Sequence, residues 1–199
     1  MGSHHLRAAF VAAGAVACNR RVARGFTLSE LMIVVAILGI FLTIGMPALS
    51  EFVADQRVRT VTSNIVADIA LARAKSIEAS RRVNMEQLGT GWSRGWRIYT
   101  DVNGNGTYDA GTDTDLKLFE GFAPGNIYTC STVAEFATRL IFRPDGRVLR
   151  TSPVNASDGI YVVDLMKDAD PTNNKVRGIL FGLSGRTAVV KKNGEVPPC

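Results

Sequence analysis

Oxygen-bearing groups recur at alternate positions in one segment rich in Asp, Asn and Gly. The five candidate calcium ligands are Asp101, Asn103, Asn105, Thr107 through its carbonyl, and Asp109. Gly106 stands where an EF-hand-type calcium loop makes its sharp turn. The twelfth position is Thr112 rather than a bidentate Glu, so any calcium ion would bind weakly. The alternative is a solvated hairpin turn, because Asn and Gly are also the residues that tight turns require.

No combination of residues for nucleophilic or metal-assisted catalysis is apparent. The only two histidines, His4 and His5, stand at the extreme N-terminus, outside the part of the chain that is expected to fold. Ser-His-Asp, Cys-His and HExxH arrangements are therefore not expected, and there is no Gly-Lys-Ser/Thr phosphate loop. Only chemistry based on carboxylates alone remains, so we predict that the chain is not an enzyme.

The positive charge of the chain is concentrated at its start. The 199 residues hold 23 Lys and Arg against 18 Asp and Glu, which gives a net charge of +5. Residues 1–25 contain four arginines and no acid, leaving 19 basic and 18 acidic groups, or +1, for residues 26–199. Most of the chain is thus nearly neutral, which argues against a generally polyanion-binding protein.

An uncharged run follows these arginines at residues 31–50. Twenty residues at about 1.5 Å per residue match a hydrocarbon core of about 30 Å. The preceding arginines should stay in the cytoplasm, so the C-terminal part would be exported. A plain single-pass membrane anchor is one interpretation of this segment.

The residues before the run, Arg24-Gly-Phe-Thr-Leu-Ser-Glu-Leu31, resemble the processing signal of type IV prepilins and pseudopilins. The resemblance implies that prepilin peptidase removes a leader of residues 1–25 by cutting between Gly25 and Phe26. It also implies N-methylation of the new Phe26 terminus. Pro47, within the apolar run, belongs to the same pattern and is a candidate assembly residue. Gly45 and Pro47 together predict a kink or local unwinding of the helix.

Glu30 is the only charged residue between Phe26 and Ser50. An ionised carboxylate in hydrocarbon costs several kcal/mol unless it is paired. The resemblance implies a partner, the free amine of Phe26 on a neighbouring subunit, and hence a role for Glu30 in setting register during assembly. The alternative is a Glu that reaches the membrane interface.

The apolar run continues into an amphipathic stretch, which predicts one helix over residues 26–80. Its apolar stripe comprises Val58, Val61, Ile65, Ile69, Ala72 and Ile77. From residue 81 onwards, short alternating segments separated by Gly and Asn turns predict an antiparallel β domain of two sheets or a sandwich. The predicted strands lie at 82–86, 95–100, 116–119, 139–142, 147–149, 160–163, 177–181 and 187–190. We therefore expect an α+β fold with a leader at 1–25, a helix at 26–80 that spans the membrane at 31–50, and a β domain at 81–199.

The segment Leu71–Ser80, the Gly95-Trp96 pair and Phe142-Arg-Pro-Asp-Gly146 resemble the GspH/FimT family of minor pilins and pseudopilins. This resemblance implies a structural subunit of a type IV pilus or a type II secretion pseudopilus. Its partners would be prepilin peptidase, other pilins and the inner membrane, with the β domain in the periplasm until extraction into the filament. A rival interpretation is a membrane-anchored periplasmic calcium-binding domain with no filament role.

Cysteine usage fits export once the leader is removed. Cys18 would leave with the leader, and Cys130 and Cys199 would remain as a pair in an oxidising compartment. We predict a disulfide between them, similar to the C-terminal staple of many minor pilins. Two free thiols are the alternative.

A second rival function is DNA uptake. The candidate contacts are Arg177, Arg186, Lys191 and Lys192. Such a local patch could bind the phosphates of double-stranded DNA even on a nearly neutral protein. DNA-uptake members carry a Gly-Arg-x-Arg element, but Gly185-Arg-Thr-Ala188 lacks the second arginine. The lysines would otherwise protect an edge strand from aggregation.

Overall fold

The computed structural model describes residues 25–122, 127–151, 155, 157–164, 174–182 and 184–192, without the side chains at 44, 45, 47 and 48. The chain divides into two compact units, Met1–Thr43 and Ile44–Cys199. Helix α1 is assigned over Leu28–Ala79. The helix assignment has no break at residues 45 or 47, so the predicted local unwinding is not found there, while a kink stays a prediction.

The unit beginning at Ile44 has eight described strands in two antiparallel sheets. The strands are β1 (Arg82–Gln87), β2 (Trp96–Asp101), β3 (Thr114–Phe119), β4 (Ile127–Ser131), β5 (Arg139–Phe142), β6 (Gly159–Asp164), β7 (Lys175–Phe181) and β8 (Thr187–Lys191). Sheet 1 has the order β3-β2-β1-β5, and sheet 2 has the order β4-β6-β7-β8. A 3-10 turn (Trp92–Arg94) and a short helix α2 (Ala134–Thr138) complete the described elements. The α+β, pilin-like architecture is confirmed.

One hydrophobic core joins the C-terminal half of α1 to both sheets. Five of the six residues of the predicted helical stripe are buried, from Val58 to Ala72. They pack against the inward side chains of both sheets, such as Trp96 and Ile98 of β2 and Ile179 of β7. Ile77, in the last turn of α1, is the exception, because 48% of its surface stays exposed.

Polar contacts hold α1 against each sheet as well. Asp68 is only 3% exposed and accepts hydrogen bonds from the Trp96 indole at 2.8 Å and from Lys117 Nζ at 2.6 Å. These bonds tie the helix to β2 and β3 of sheet 1. Asp55 performs the corresponding role toward sheet 2, where Arg177 of β7 donates to it at 3.2 Å.

Two glycines allow two turns to approach closely. Gly146, in the turn after β5, and Gly185, in the turn before β8, have φ values of +77° and +76°, a region that favours glycine. A Cβ atom on Gly185 would lie 2.2 Å from the Gly146 carbonyl oxygen, and one on Gly146 would lie 2.7 Å from Ile77 Cδ1. The two turns and the end of α1 are therefore in direct contact.

Candidate functional site

The start of α1 forms a capping box that involves the predicted assembly residue. Thr27 precedes the helix, and its carbonyl accepts the hydrogen bond of Leu31 N–H at 3.2 Å. Glu30 N–H donates to Thr27 Oγ1 at 3.2 Å, and Thr27 N–H donates to Glu30 Oε2 over a longer 3.5 Å. The pattern Thr-x-x-Glu is the sequence signature of a capping box, although our sequence analysis did not identify it.

The capped Glu30 carboxylate lies in the open. The described residues at the predicted cleavage site, Gly25 and Phe26, are also exposed, with 82% of Phe26 accessible. Glu30 thus has one weak backbone donor and is otherwise accessible to a cation from outside the chain. The preceding arginines and the rest of the predicted leader lie outside the described residues.

Apolar side chains are exposed throughout the first turns of α1. The large ones are Leu28, Leu31, Met32, Ile33, Val34, Val35, Ile37, Leu38, Ile40, Phe41 and Leu42. Burying such a surface in lipid or against other helices is favourable by about 25 cal/mol per Å². Among the residues whose side chains are described, no helix is long and apolar enough to cross a membrane.

The Asp- and Asn-rich loop between β2 and β3 forms its own hydrogen-bond network. Both Asp101 carboxylate oxygens accept backbone N–H groups, from Gly104 at 2.7 Å and Gly106 at 3.0 Å. The side-chain amides of Asn103 and Asn105 both donate to Asp109 Oδ2, at 2.8 and 2.6 Å. These carboxylates therefore already have donors in the loop.

The side-chain directions in this loop match a solvated hairpin better than a calcium site. The Asn103 and Asn105 amide nitrogens, not their oxygens, are directed at Asp109, and their oxygens accept backbone N–H groups within the loop. Thr107 also donates its hydroxyl to the Asn105 side-chain oxygen at 2.9 Å. Within the described part of the chain, no group of three or more His, Cys, Asp or Glu residues could hold a metal ion. The geometry favours the hairpin alternative, and the calcium ligand set stays a prediction.

Cys130 is disulfide-bonded. It lies in β4, the outer strand of sheet 2, and faces Tyr161 of β6 across the ladder. Cys199, its predicted partner, lies outside the described residues. The pairing of these two cysteines accordingly stays a prediction.

The predicted DNA contacts differ in their accessibility. Arg177 is mostly buried and paired with Asp55, so we remove it from the candidate set. Burial by itself would raise the pKa of Asp55, but hydrogen bonds from Arg177 and Arg59 hold that pKa below its ordinary value. Arg186 and Lys191 are exposed at the two ends of β8, and Lys192 is half-buried.

The structure adds arginines that the sequence did not point to. The contact between Gly146 and Gly185 brings Arg143 and Arg147, both exposed, to the same place as Arg186. Arg73 of α1 joins them there, because its Nε donates to the Gly146 carbonyl at 3.0 Å. We call Arg73, Arg143, Arg147 and Arg186 the arginine cluster. Its members come from three distant segments, so sequence spacing could not reveal it.

A helix that begins just after a Gly-Phe processing motif, and whose C-terminal half packs on two antiparallel sheets, defines the class of type IV pilin-like subunits. Residues 20–46 match the prokaryotic N-terminal methylation motif. Residues 61–185 match the family described as type II transport protein GspH. The chain belongs to the GspH family of minor pilins and pseudopilins.

The chain is also similar to individual proteins. The chain is 33% identical over 98 residues to the pilin-like protein PilA1 of Thermus thermophilus, covering 48% of this chain and 60% of the relative. It is 32% identical over 102 residues to fimbrial protein Q of Moraxella bovis, covering 46% and 65% respectively. The chain thus spans less than two thirds of each of these relatives. The type IV minor pilin FimU of Pseudomonas aeruginosa has a TM-score of 0.48 at 14% identity, over 72% of this chain and 98% of FimU.

Proposed function

We propose that this subunit is made as a prepilin, cut between Gly25 and Phe26, and assembled into a pilus or pseudopilus through its N-terminal helix. The observation that carries the proposal is the exposed Glu30 carboxylate beside Phe26 at the start of an exposed apolar helix. A neighbouring subunit's Phe26 amine would supply the cation that Glu30 does not have in this chain. The contact would form only at the correct depth, so it would set register.

Before assembly, residues 31–50 would hold the subunit in the inner membrane as a single pass with the β domain in the periplasm. The support is the uncharged sequence of that segment and the arginines that precede it. The predicted span includes positions 44, 45, 47 and 48, whose side chains lie outside the described set. Pro47, predicted to contribute to assembly, is one of them. The function proposed is structural rather than catalytic.

Mass spectrometry of the membrane-bound protein tests the processing step. We expect a mature chain that begins with N-methylated Phe26. A Gly25→Val variant should keep its leader, whereas the matched Ala23→Val change two residues earlier should not affect cleavage. An intact leader on the unaltered protein would contradict the prepilin proposal and favour a plain membrane anchor, including the calcium-binding rival.

A second candidate function, binding of double-stranded DNA, is favoured by the arginine cluster. Three of its four members are exposed, and the acid in the same turn, Asp145, is engaged by the backbone N–H of Arg147 at 3.0 Å. Guanidinium groups gathered in this way suit the phosphate backbone. The near neutrality of residues 26–199 limits the expected affinity, and the phosphate contacts of the cluster should make that affinity fall as salt rises.

Fluorescence anisotropy with a labelled DNA duplex tests this second function. Arg186→Gln should weaken binding and reduce the slope of log affinity against log salt by about one. Arg94→Gln is the matched control, because Arg94 is equally exposed but lies in the 3-10 turn outside the cluster. If neither change matters, or if no duplex binds at low salt, the subunit has no DNA role through this cluster.

A further inference from the structure

The two sheets together have four outer strands, and each presents a row of backbone groups that a further strand could pair with. In sheet 1 these strands are β3 and β5, and in sheet 2 they are β4 and β8. Proteins usually cover or interrupt such edges to avoid unwanted pairing. An edge without such protection is a candidate docking site.

Three of the four edges are protected within the described residues. The return of the chain covers β5, since Val148 bridges to Phe142 and Leu149 N–H donates to Ile141 O at 2.7 Å. In β3, the Lys117 ammonium turns in to Asp68, and the ladder with β2 shifts register. All five residues of β4 are half-buried, and Thr129 Oγ1 accepts the backbone N–H of Trp92 in the 3-10 turn at 2.7 Å.

Among the described residues, strand β8 has neither a covering segment nor a register shift in its ladder. Gly182 N–H donates to Arg186 O at 2.8 Å, and Lys192 N–H donates to Val176 O at 2.9 Å. Backbone groups that face the partner strand alternate along an antiparallel ladder, so those of Ala188 and Val190 also face β7. The N–H and C=O groups of Thr187, Val189 and Lys191 must then point away from the sheet. Three of the five β8 residues are exposed, with 47% of Val189 accessible.

A groove of about 380 Å³ lies between the start of β8 and the C-terminal half of α1. On the helix side its lining includes Ala70, Arg73, Ala74 and Ile77, and on the other side Arg186 and Thr187. Cross-strand partners share a face of a sheet, and Thr187 faces Phe181 of the core that contains α1. A strand added to β8 would therefore place side chains over this groove, which has an apolar wall on the helix and arginines at its border.

The charges at the ends of β8 decide which strand fits. Arg186 and Lys191 are exposed at its two ends, so a second copy of β8 would bring four like charges to one edge. Like charges on paired strands destabilise the pairing. No acidic residue lines the groove. The same cations that disfavour a second copy favour a strand with carboxylates near its ends.

We propose that β8 is the docking edge for an extended, acidic segment of a neighbouring filament subunit. The segment pairs with the outward backbone groups of Thr187, Val189 and Lys191 and covers the groove with its alternate apolar side chains. This inference rests on the proposed filament role and adds the chemistry of a partner. A binding measurement on the purified chain separates it from assembly, since that measurement does not require a filament.

The test uses the full chain in detergent and a fluorescein-labelled peptide of alternating Val and Thr with Asp or Glu at both ends. Val189→Pro removes an outward N–H without removing a hydrogen bond to β7, and we expect it to weaken peptide binding at least about tenfold. Val189→Thr keeps the N–H and the branched side chain, so its binding should match the unaltered protein. Equal melting temperatures for the two variants verify that both are folded.

Charge reversal provides a second measurement if proline disturbs the strand. The double variant Arg186→Glu/Lys191→Glu should lose the acidic peptide and gain affinity for the same peptide with Lys at its ends. The proposal is overturned if the unaltered chain binds neither peptide, or if Val189→Pro and Val189→Thr bind equally. Displacement of the peptide by duplex DNA, with DNA binding insensitive to Val189→Pro, would assign the surface to phosphate instead. A dimer of the unaltered chain that Val189→Pro abolishes would assign it to a second copy.

Discussion

Asp68→Asn should lower the free energy of unfolding by about 3 kcal/mol. Asp68 is 3% exposed and accepts hydrogen bonds from the fully buried Trp96 and from Lys117. An Asn side chain has one oxygen and one amide donor at this place, so it can satisfy only one of the two donors. We expect the low end of the range for broken buried pairs, because the Lys117 side chain is 41% exposed and can turn to water.

Urea unfolding followed by near-ultraviolet circular dichroism would measure this loss, since two buried tryptophans report on the core. Ser63→Ala, at an exposed position of the same helix, is the control and should change stability by less than about 0.5 kcal/mol. A double-mutant cycle with Trp96→Phe isolates the indole bond. A loss below about 1 kcal/mol for Asp68→Asn would show that the Asp68 contacts contribute little to holding the helix against sheet 1.

Asp68 also shows where sequence patterns stop being informative. The spacing of apolar residues correctly predicts the helix and its buried stripe from Val58 to Ala72. The same spacing places Asp68 on a polar face, because helical periodicity carries no information about Trp96 and Lys117 far along the chain. Its burial depends on those tertiary partners. Ile77 continues the stripe in sequence but remains half exposed, because it lies beside the groove.

In the β domain, too, the sequence predicts some elements and misses others. Alternation and turn residues predict seven of the eight described strands approximately, with β2 following Gly95 as expected. The predicted strand at 147–149 is only a bridge at Val148, and β4 and α2 are missed. Neither β4 nor α2 has a distinctive pattern: β4 is half-buried throughout, without alternation, and α2 is only five residues long.

For the candidate sites, too, the sequence predicts short motifs but not contacts between distant segments. Motifs within a few residues, such as the processing site and Glu30, are visible in the sequence alone, and so is the Thr-x-x-Glu capping box. The pairing of Arg177 with Asp55, across 122 positions, and the convergence of the arginine cluster depend on the fold. Basic composition near the C-terminus therefore overstates the role of Arg177 and misses Arg143 and Arg147.

Glu30→Gln should leave the subunit in the membrane but reduce its incorporation into filaments by at least about tenfold. Two functions of Glu30 coincide in the structure, the cap on Thr27 N–H and the negative charge. Gln preserves the first, because a capping box accepts Glu or Gln at this position. It removes the second, and with it the ion pair proposed with the Phe26 amine of a neighbouring subunit.

Comparing three variants separates the charge from the cap. Glu30→Val removes both and should fail at least as severely as Glu30→Gln. Ser29→Ala keeps Glu30 and removes only a hydroxyl contact with Thr27 Oγ1 at 3.1 Å, so it should assemble normally. Immunoblots of sheared filaments and of the membrane fraction give incorporation and insertion from the same cells. The magnitude follows from the cost of several kcal/mol for burying an unpaired charge or leaving its partner amine unpaired in an apolar filament interior. Normal incorporation of Glu30→Gln would leave the cap as the function of Glu30, since the charge would then contribute nothing to register.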